Sequence, residues 1–234
     1  MSTHESNPTF PPIPRPRVLI TAGPTREPID DVRFIGNRSS GALGIELARS
    51  AATLGLPTTL ALGESVQNPN IDNISIERFD ETRELEQLLA RLMPQTDLLV
   101  MAAAVADHTP AARHAGKLGR NETGRTSIEL VPTPDLLAAV AATARPDQLL
   151  VGFALEPADR LAESAQRKLE SKRVDLIIAN PLDTMESGTI TATLVAAPHL
   201  AGAVDQPEPS KTKQAFAEWL WPVLLACHQQ KANR

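Results

Sequence analysis

The stretch that decides the fold begins with the short apolar run RVLIT (residues 17–21), which leads into the loop TAGPTREPIDDVRFIGNRSSGALG (21–44). An amphipathic segment over residues 40–54 overlaps the end of this loop. A buried strand, a polar loop and a helix in this order form the first part of a βαβ unit. The sequence therefore predicts an α/β fold whose first strand starts at Arg17.

Apolar runs continue to alternate with amphipathic segments along the rest of the chain. Continuous apolar runs are typical of parallel strands that helices cover on both faces. We therefore expect a Rossmann-like, doubly wound, mostly parallel sheet with helices on both faces. The predicted strands are 17–21, 58–62, 97–106, 148–154 and 174–180, with an edge strand at 189–196, and the predicted helices are 40–54, 81–93, 134–143, 156–172 and 210–227.

Length and composition suit a single domain. The chain has 234 residues, and its hydrophobic content of 42% is enough to bury a core. Residues 1–16 are rich in proline and contain little that could pack, so we predict a mobile N-terminal extension. We expect one domain over residues 17–230.

Charge and cysteine usage exclude several classes of protein. The net charge of -5, without a stripe of Lys and Arg, argues against a nucleic-acid partner, and an aromatic content of 3% without Tyr removes stacking platforms. A single cysteine, Cys227, cannot form a disulfide within the chain, and its apolar surroundings predict a buried thiol. No apolar stretch reaches the roughly 18 to 20 residues that a membrane span needs, so we expect a cytoplasmic protein without a membrane partner.

Residues that follow the predicted strands are the candidates for a binding site, because doubly wound sheets bind ligands beyond the carboxyl ends of their strands. Gly23 lies in the turn after the first strand, and Ser39 and Ser40 lie at the start of the next helix. These residues could bind a phosphate through backbone N–H groups and hydroxyls, or they could form an ordinary turn and a capped helix. The dinucleotide fingerprint and the Walker loop are both absent.

Charged residues farther along the chain allow similar alternatives. Asp107 follows an apolar strand and either caps the next turn or binds ribose hydroxyls or metal-bound phosphates. The polar loop 108–127 is predicted to be a mobile flap, and its Lys117 is either a solvated side chain or a catalytic group. Lys168 and Lys172 share one helix face, where they either form a solvated stripe or bind a triphosphate.

Five blocks carry a resemblance to a known family. TAGPTREPIDDVRFIGNRSSG, AAAVADH, ELVPTPDLL, VGFALE and KLESKRVDLIIAN occur in the same order and with similar spacing as in phosphopantothenate-cysteine ligase, also called phosphopantothenoylcysteine synthetase. The sequence resembles this family from about Arg17 to Val195. The resemblance implies that the carboxylate of 4'-phosphopantothenate attacks the α-phosphate of CTP, releasing pyrophosphate, and that the amine of cysteine then displaces CMP from the acyl-cytidylate.

The resemblance also implies the cofactors and partners. Mg²⁺ is expected with CTP, which we prefer to ATP because the blocks resemble bacterial members. No flavin-dependent decarboxylase half is recognised in the chain, so we expect a stand-alone ligase domain without flavin. A homodimer is expected, in which one subunit helps to close the pantothenate site of the other through residues 63–80 or 182–204.

Individual residues match positions of the family motifs. Asn37 matches the asparagine that contacts the phosphopantothenoyl carboxylate, Arg33 matches a nearby arginine, and Lys117 matches the first lysine of the flap. These three are the expected catalytic residues, and Asn37, Arg33 and Asn180 are the expected substrate contacts. The expected nucleotide contacts are Gly23, Ser39, Ser40, Ala103, Asp107, Pro134, Asp135, Leu136, Leu137, Phe153, Lys168 and Lys172; metal ligands are not assigned.

Two departures from the family pattern leave alternatives open. The flap reads Lys117-Leu118-Gly119-Arg120 where relatives usually carry Lys-x-Lys-Lys, and Ala42 stands where they often carry Lys or Arg. The alternatives are a non-catalytic nucleotide- or phosphate-binding relative and a Rossmann-type reductase. The missing G-x-G-x-x-G argues against the reductase, and the retained residues of the expected reacting centre argue against the inert binder.

Overall fold

The computed structural model describes residues 15–119, 124, 126–185, 187–207 and 210–234. The predicted mobile extension therefore lies outside the described residues except for its last two positions, and Arg120 of the flap motif lies outside them as well. Arg15 donates from Nη1 to the carbonyl of Gly55 over 2.8 Å.

Seven of the strands form one central sheet. In chain order the strands are β1 (Val18–Ala22), β2 (Arg26–Pro28), β3 (Phe34–Gly36), β4 (Thr58–Gly63), β5 (Ile74–Phe79), β6 (Leu98–Met101), β7 (His108–Pro110), β8 (Leu130–Pro132), β9 (Leu149–Glu156), β10 (Leu176–Pro181), β11 (Thr189–Ile190), β12 (Thr193–Ala196) and β13 (Lys211–Thr212). The order in the central sheet is β12-β10-β9-β6-β1-β4-β5, and only the edge strand β12 runs antiparallel to its neighbour. The six other strands form three two-stranded ribbons, β2-β3, β7-β8 and β11-β13.

Helices cover both faces of this sheet, which confirms the predicted fold class. The helices are α1 (Ala42–Thr53), α2 (Thr82–Leu92), α3 (Leu136–Thr143), α4 (Leu161–Lys172) and α5 (Lys213–Ala232). Helices α1 and α5 pack together on one face, and α2, α3 and α4 belong to the core on the other face. Among the described residues, no helix combines the length and apolar character needed to cross a bilayer.

The alternation of side chains along the strands explains why the predicted strands are mainly apolar. In β1, Val18 and Ile20 belong to the core beneath α1 and α5, whereas Leu19 belongs to the core on the opposite face. Neighbouring side chains of a strand point to opposite faces. Both faces of this sheet are buried, so both sets of side chains must be apolar.

The structure differs from the predicted elements at several boundaries. The strand predicted at 97–106 ends at Met101, because its pairing with β9 stops there. Beyond it, Ala102 and Ala103 donate their N–H groups to the carbonyl and the hydroxyl of Thr21 in β1. The segment 189–196 forms two short strands, of which β12 is the predicted edge strand. Strand β5 was not predicted, because its residues ISIERF alternate in polarity at the other edge of the sheet and are only partly buried.

Candidate functional site

A cleft with a volume of about 720 Å³ opens at the carboxyl ends of the central strands. The chain reverses its direction of winding between β1 and β6, which is where open α/β sheets bind ligands. Most of the predicted site residues lie together here, whereas Gly23, Arg33 and Lys117 do not line the cleft. Those that line it are Asn37, Ser39, Ser40, Ala103, Asp107, Pro134, Asp135, Leu136, Leu137, Phe153, Lys168, Lys172 and Asn180.

Gly23 does not line the cleft but lies between the end of β1 and the start of α1. Its φ of +88° belongs to the left-handed region, and a Cβ atom there would approach Val66 Cγ2 to 2.7 Å. A Cβ atom on Gly41 would lie 3.1 Å from the backbone nitrogen of Gly23. The two glycines therefore allow the start of α1 to pack directly on the end of β1.

The start of α1 lies at the cleft, where its backbone N–H groups are available to a ligand or only weakly bound. The hydroxyls of Ser39 and Ser40 accept weak hydrogen bonds of 3.3 and 3.4 Å from the backbone N–H groups of Gly41 and Ala42. The first turn contains no acidic residue, and the N-cap residue is Gly41, which has no side chain to cap the helix. The partial positive charge of a helix N-terminus favours an anion at such a position.

Asn37 is held against the segment that follows β6. Its Nδ2 donates to the carbonyl of Val105 over 2.8 Å. That segment is fixed in turn, because Ala103 donates its N–H to the hydroxyl of Thr21 and Ala106 donates to that of Thr25. Asn37 is exposed to the cleft, so its amide oxygen and second N–H are available to a ligand.

Asp107 presents a carboxylate at the rim of the cleft. Its side chain is exposed, and within the described part of the chain it forms no ion pair. Its backbone is anchored, since its carbonyl accepts the N–H of Thr133 over 3.0 Å. The hydroxyl of Thr133 also donates to the carbonyl of Ala106.

Lys168 and Lys172 both line the cleft, and each forms an ion pair that the sequence did not predict. Lys168 Nζ lies 2.6 Å from Glu156, and Lys172 Nζ lies 2.8 Å from Asp135. Asp135 also caps α3 by accepting the N–H of Ala138. Burial raises the pKa of Asp135, but Lys172 and the backbone N–H groups of Ala138 and Leu137 together outweigh burial, so the pKa is lowered. Each lysine therefore already neutralises a carboxylate beside the cleft.

Phe153 lies in the middle of β9, and Asn180 lies near the end of the adjacent strand β10. Phe153 is half-buried in the cleft, where an aromatic face could stack on a planar ring. Asn180 donates from Nδ2 to the hydroxyl of Thr184 over 2.8 Å, which fixes its amide group.

Lys117 lies on a segment that is bound to the β2–β3 turn outside the cleft. Asp31 accepts the N–H of Gly116 over 2.8 Å, and buried Asp30 accepts the N–H of Leu118 over 3.0 Å. Burial opposes ionisation of Asp30, but the N–H donors that surround its carboxylate outweigh this and lower its pKa to about 2. Arg33 pairs with Asp30 over 2.8 Å and donates to the carbonyl of Leu118.

Sequence reasoning missed several residues of the cleft. Arg38 lies beside Asn37, and Lys213 at the start of α5 reaches the cleft from the side of the sheet covered by α1. Asp30 and Asp31 were not recognised as partners of the flap segment. The sequence gives no indication that Lys213 reaches the cleft, because its proximity to α1 depends on how α5 packs.

A metal ion would have few protein ligands here. The described residues contain no group of three or more His, Cys, Asp or Glu side chains that could hold one. A single carboxylate such as Asp107 does suit Mg²⁺, which binds one or two carboxylates and otherwise takes substrate phosphates and water.

Comparisons with known proteins agree with this geometry. A family model described as DNA/pantothenate metabolism flavoprotein C-terminal domain matches residues 14–226. A cysteine/cysteine sulfinic acid decarboxylase from an unknown prokaryotic organism is 41% identical over 172 residues, which cover 74% of this chain and 47% of the relative. The coenzyme A biosynthesis bifunctional protein CoaBC of Mycobacterium bovis is 39% identical over 172 residues, covering 70% of this chain and 41% of the relative.

A solved structure is similar over nearly its whole length. The DNA/pantothenate metabolism flavoprotein from Streptococcus pneumoniae is 25% identical with a TM-score of 0.77, covering 90% of this chain and 99% of that protein. The chain spans less than half the length of the two curated relatives. The match to the family model covers most of the chain, and the chain therefore belongs to the DNA/pantothenate metabolism flavoprotein C-terminal domain family.

Proposed function

We propose that this chain joins 4'-phosphopantothenate to cysteine in a CTP-dependent reaction with an acyl-cytidylate intermediate. The observation that carries the proposal is the meeting of Asn37, Asp107 and the uncapped start of α1 in one cleft. The relative from Mycobacterium bovis, named as a coenzyme A biosynthesis protein, supports the same reaction class.

The first step needs stabilisation of negative charge. A carboxylate oxygen of 4'-phosphopantothenate attacks the α-phosphorus of CTP, and the bond to the bridging oxygen of pyrophosphate breaks. Backbone N–H groups at the start of α1, with the hydroxyls of Ser39 and Ser40, are suited to bind the phosphate oxygens. Asn37 would orient the acyl group through the amide atoms that Val105 leaves available.

The second step forms the amide. The neutral amine of cysteine attacks the acyl carbon, the bond between that carbon and the oxygen of CMP breaks, and the amine releases a proton. CMP is a good leaving group, whereas attack on the free carboxylate would have to expel one of its own oxygens, which is a very poor leaving group. Bound Mg²⁺ would neutralise phosphate charge, and Asp107 is the side chain placed to hold it.

Two parts of the proposal concern motion and assembly. Lys117 would act on the α-phosphate after its segment leaves Asp30 and Asp31.

A second copy of the chain would cover the apolar side chains of Val32 and Phe34, which are 60% and 53% exposed on the β2–β3 ribbon. Light scattering at micromolar concentration tests the homodimer, and a monomeric mass contradicts it.

The ligase activity is tested by incubating the protein with 4'-phosphopantothenate, cysteine, Mg²⁺ and either CTP or ATP, and measuring pyrophosphate. We expect release with CTP that requires 4'-phosphopantothenate, and slower release with ATP. Absence of release with both nucleotides contradicts the ligase, and equal or faster release with ATP contradicts the preference for CTP.

The name of the 41% identical relative raises decarboxylation of cysteine as a second candidate. The same mixtures distinguish it, because decarboxylation releases CO₂ from cysteine without consuming nucleotide. The visible absorption spectrum of the purified protein tests the prediction that no flavin is bound.

A further inference from the structure

The cations of the cleft are not equivalent. Among the described residues that line it, Lys168 and Lys172 are ion-paired, whereas Arg38 and Lys213 have no carboxylate partner. Arg38 is exposed to solvent, but Lys213 is half-buried. An unpaired ammonium that is partly removed from water is unfavourable, so Lys213 needs an explanation.

The position of Lys213 in α5 adds to this cost. Lys213 is the first residue of the helix, directly after the capping residue Thr212, whose hydroxyl accepts the N–H of Ala215. The positive end of the helix dipole disfavours a cation there. Burial also lowers the pKa of Lys213 below its ordinary value, which indicates that water solvates the ammonium poorly.

Helices α1 and α5 begin at the same side of the molecule. Trp221 donates its indole N–H to the carbonyl of Leu47 over 2.9 Å, which fixes the two helices side by side. Near the other end of α5, Lys231 contacts Asp175 just before β10, so α5 runs opposite to the strands, as α1 does. Both helix starts therefore meet the cleft at the carboxyl ends of the strands.

We propose that Lys213 binds a phosphate group of the nucleotide co-substrate, together with the uncapped start of α1. The inference rests on the proposed function, because it requires a nucleotide in the cleft. A bound phosphate would supply the negative charge that Lys213 lacks in the free protein, and it would be favoured by both helix dipoles. A triphosphate carries the most charge of the expected ligands.

The test measures binding of CTP and, separately, of 4'-phosphopantothenate to the wild type and three variants by isothermal titration calorimetry. Lys213→Gln removes the charge, Lys213→Arg retains it, and Arg83→Gln removes one charge from exposed Arg83 on α2, outside the cleft. We expect Lys213→Gln to weaken CTP binding at least about tenfold, and the other two variants to bind CTP within about threefold of the wild type.

Thermal unfolding separates ligand binding from a structural role. Without ligand, Lys213→Gln should be as stable as the wild type or more stable, because it removes an unfavourable charge, while the stabilisation by CTP should shrink. Unchanged CTP affinity in Lys213→Gln overturns the inference and leaves the proposed function intact. A loss confined to 4'-phosphopantothenate overturns the assignment to the nucleotide. A wild type that binds neither CTP nor ATP overturns the proposed function and the inference with it.

Discussion

The two ends of the central sheet differ in how completely their charged groups are paired. At the amino ends of the strands, Asp97 accepts hydrogen bonds from Arg17 and Arg145, and buried Asp175 accepts two from Lys231. At the carboxyl ends, Lys168 and Lys172 are ion-paired, but Asp107, Lys213 and the start of α1 lack a partner of opposite charge within the described residues.

The difference indicates where this chain gains stability and where it keeps binding capacity. Removing one partner of a buried charge pair leaves an uncompensated charge and destabilises the fold, and a charge that is already paired has little left to offer a ligand. Groups that remain unpaired lower the stability of the free protein and become favourable when a charged ligand arrives. We therefore expect substitutions at the amino ends to change unfolding, and substitutions in the cleft to change binding and turnover.

The largest effect is expected for Asn37→Asp. The new carboxylate would lie beside an anionic acyl phosphate and would also face the carbonyl of Val105, so turnover should fall by about 10³-fold. Asn73→Asp, at an exposed turn before β5, is the matched control and should keep normal turnover. Wild-type rates of product formation by Asn37→Asp would show that Asn37 does not lie at the reacting centre.

Asp175→Asn tests the opposite end of the sheet. The carboxylate is 6% exposed, contacts Lys231 at 2.6 Å and accepts the N–H of Leu150, so its neutralisation should lower the free energy of unfolding by about 3 kcal/mol. Urea unfolding measures this change, and CTP binding should be unaffected. Asp147→Asn, at an exposed ion pair with Arg145, should change stability little. Equal effects of the two variants would contradict the role of burial.

Lys117→Gln should reduce turnover by about 10²-fold without changing the unfolding temperature. Its side chain is exposed, and its backbone neighbours, rather than the ammonium, make the contacts with Asp30 and Asp31. If Lys117 acts on the α-phosphate, supplying synthetic phosphopantothenoyl-cytidylate with cysteine should restore most of the rate. A variant that remains equally slow with this intermediate would place Lys117 in the second step or in binding.

The smallest effect concerns acid stability. Hydrogen bonds from Arg17, with smaller contributions from Arg145, lower the pKa of Asp97 from 3.8 to about 2. A lowered pKa in the folded state stabilises the protein above the unfolded value, and this stability is lost as the pH falls from about 4 to about 2. We expect Asp97→Asn to lower the free energy of unfolding at pH 7 by about 2 kcal/mol and to flatten its fall in that range. If the free energy of unfolding of this variant falls as steeply between about pH 4 and about pH 2 as that of the wild type, the prediction is contradicted.

The fold was predictable because burial on both faces of the sheet requires continuous apolar runs, which can be recognised in the sequence. Runs such as RVLIT and VDLIIAN contain no polar alternation, and they became β1 and β10. Strand β5 was not predictable in this way, because one-sided burial at the edge permits Ser75 and Glu77.

Among the residues that line the cleft, Asp107 could be singled out because it follows a predicted strand, and Asn37 because it matches a family motif. The site was not predictable where the packing of distant segments determines which side chains reach the cleft and which of them are ion-paired. Lys213 reaches the cleft only because α5 lies beside α1, and Lys168 and Lys172 are neutralised by carboxylates from β9 and from the cap of α3. Ion pairing of this kind depends on distances that spacing along the chain does not reveal.

The central claim is that the cleft activates a carboxylate as an acyl-cytidylate. The most direct test supplies 4'-phosphopantothenate labelled with heavy oxygen in both carboxylate positions, together with cysteine, CTP and Mg²⁺, and measures the mass of the released CMP. Attack on the α-phosphorus predicts CMP that carries one heavy oxygen, because the carbon–oxygen bond of the intermediate breaks when the amide forms. Unlabelled CMP formed together with the amide product would contradict the account.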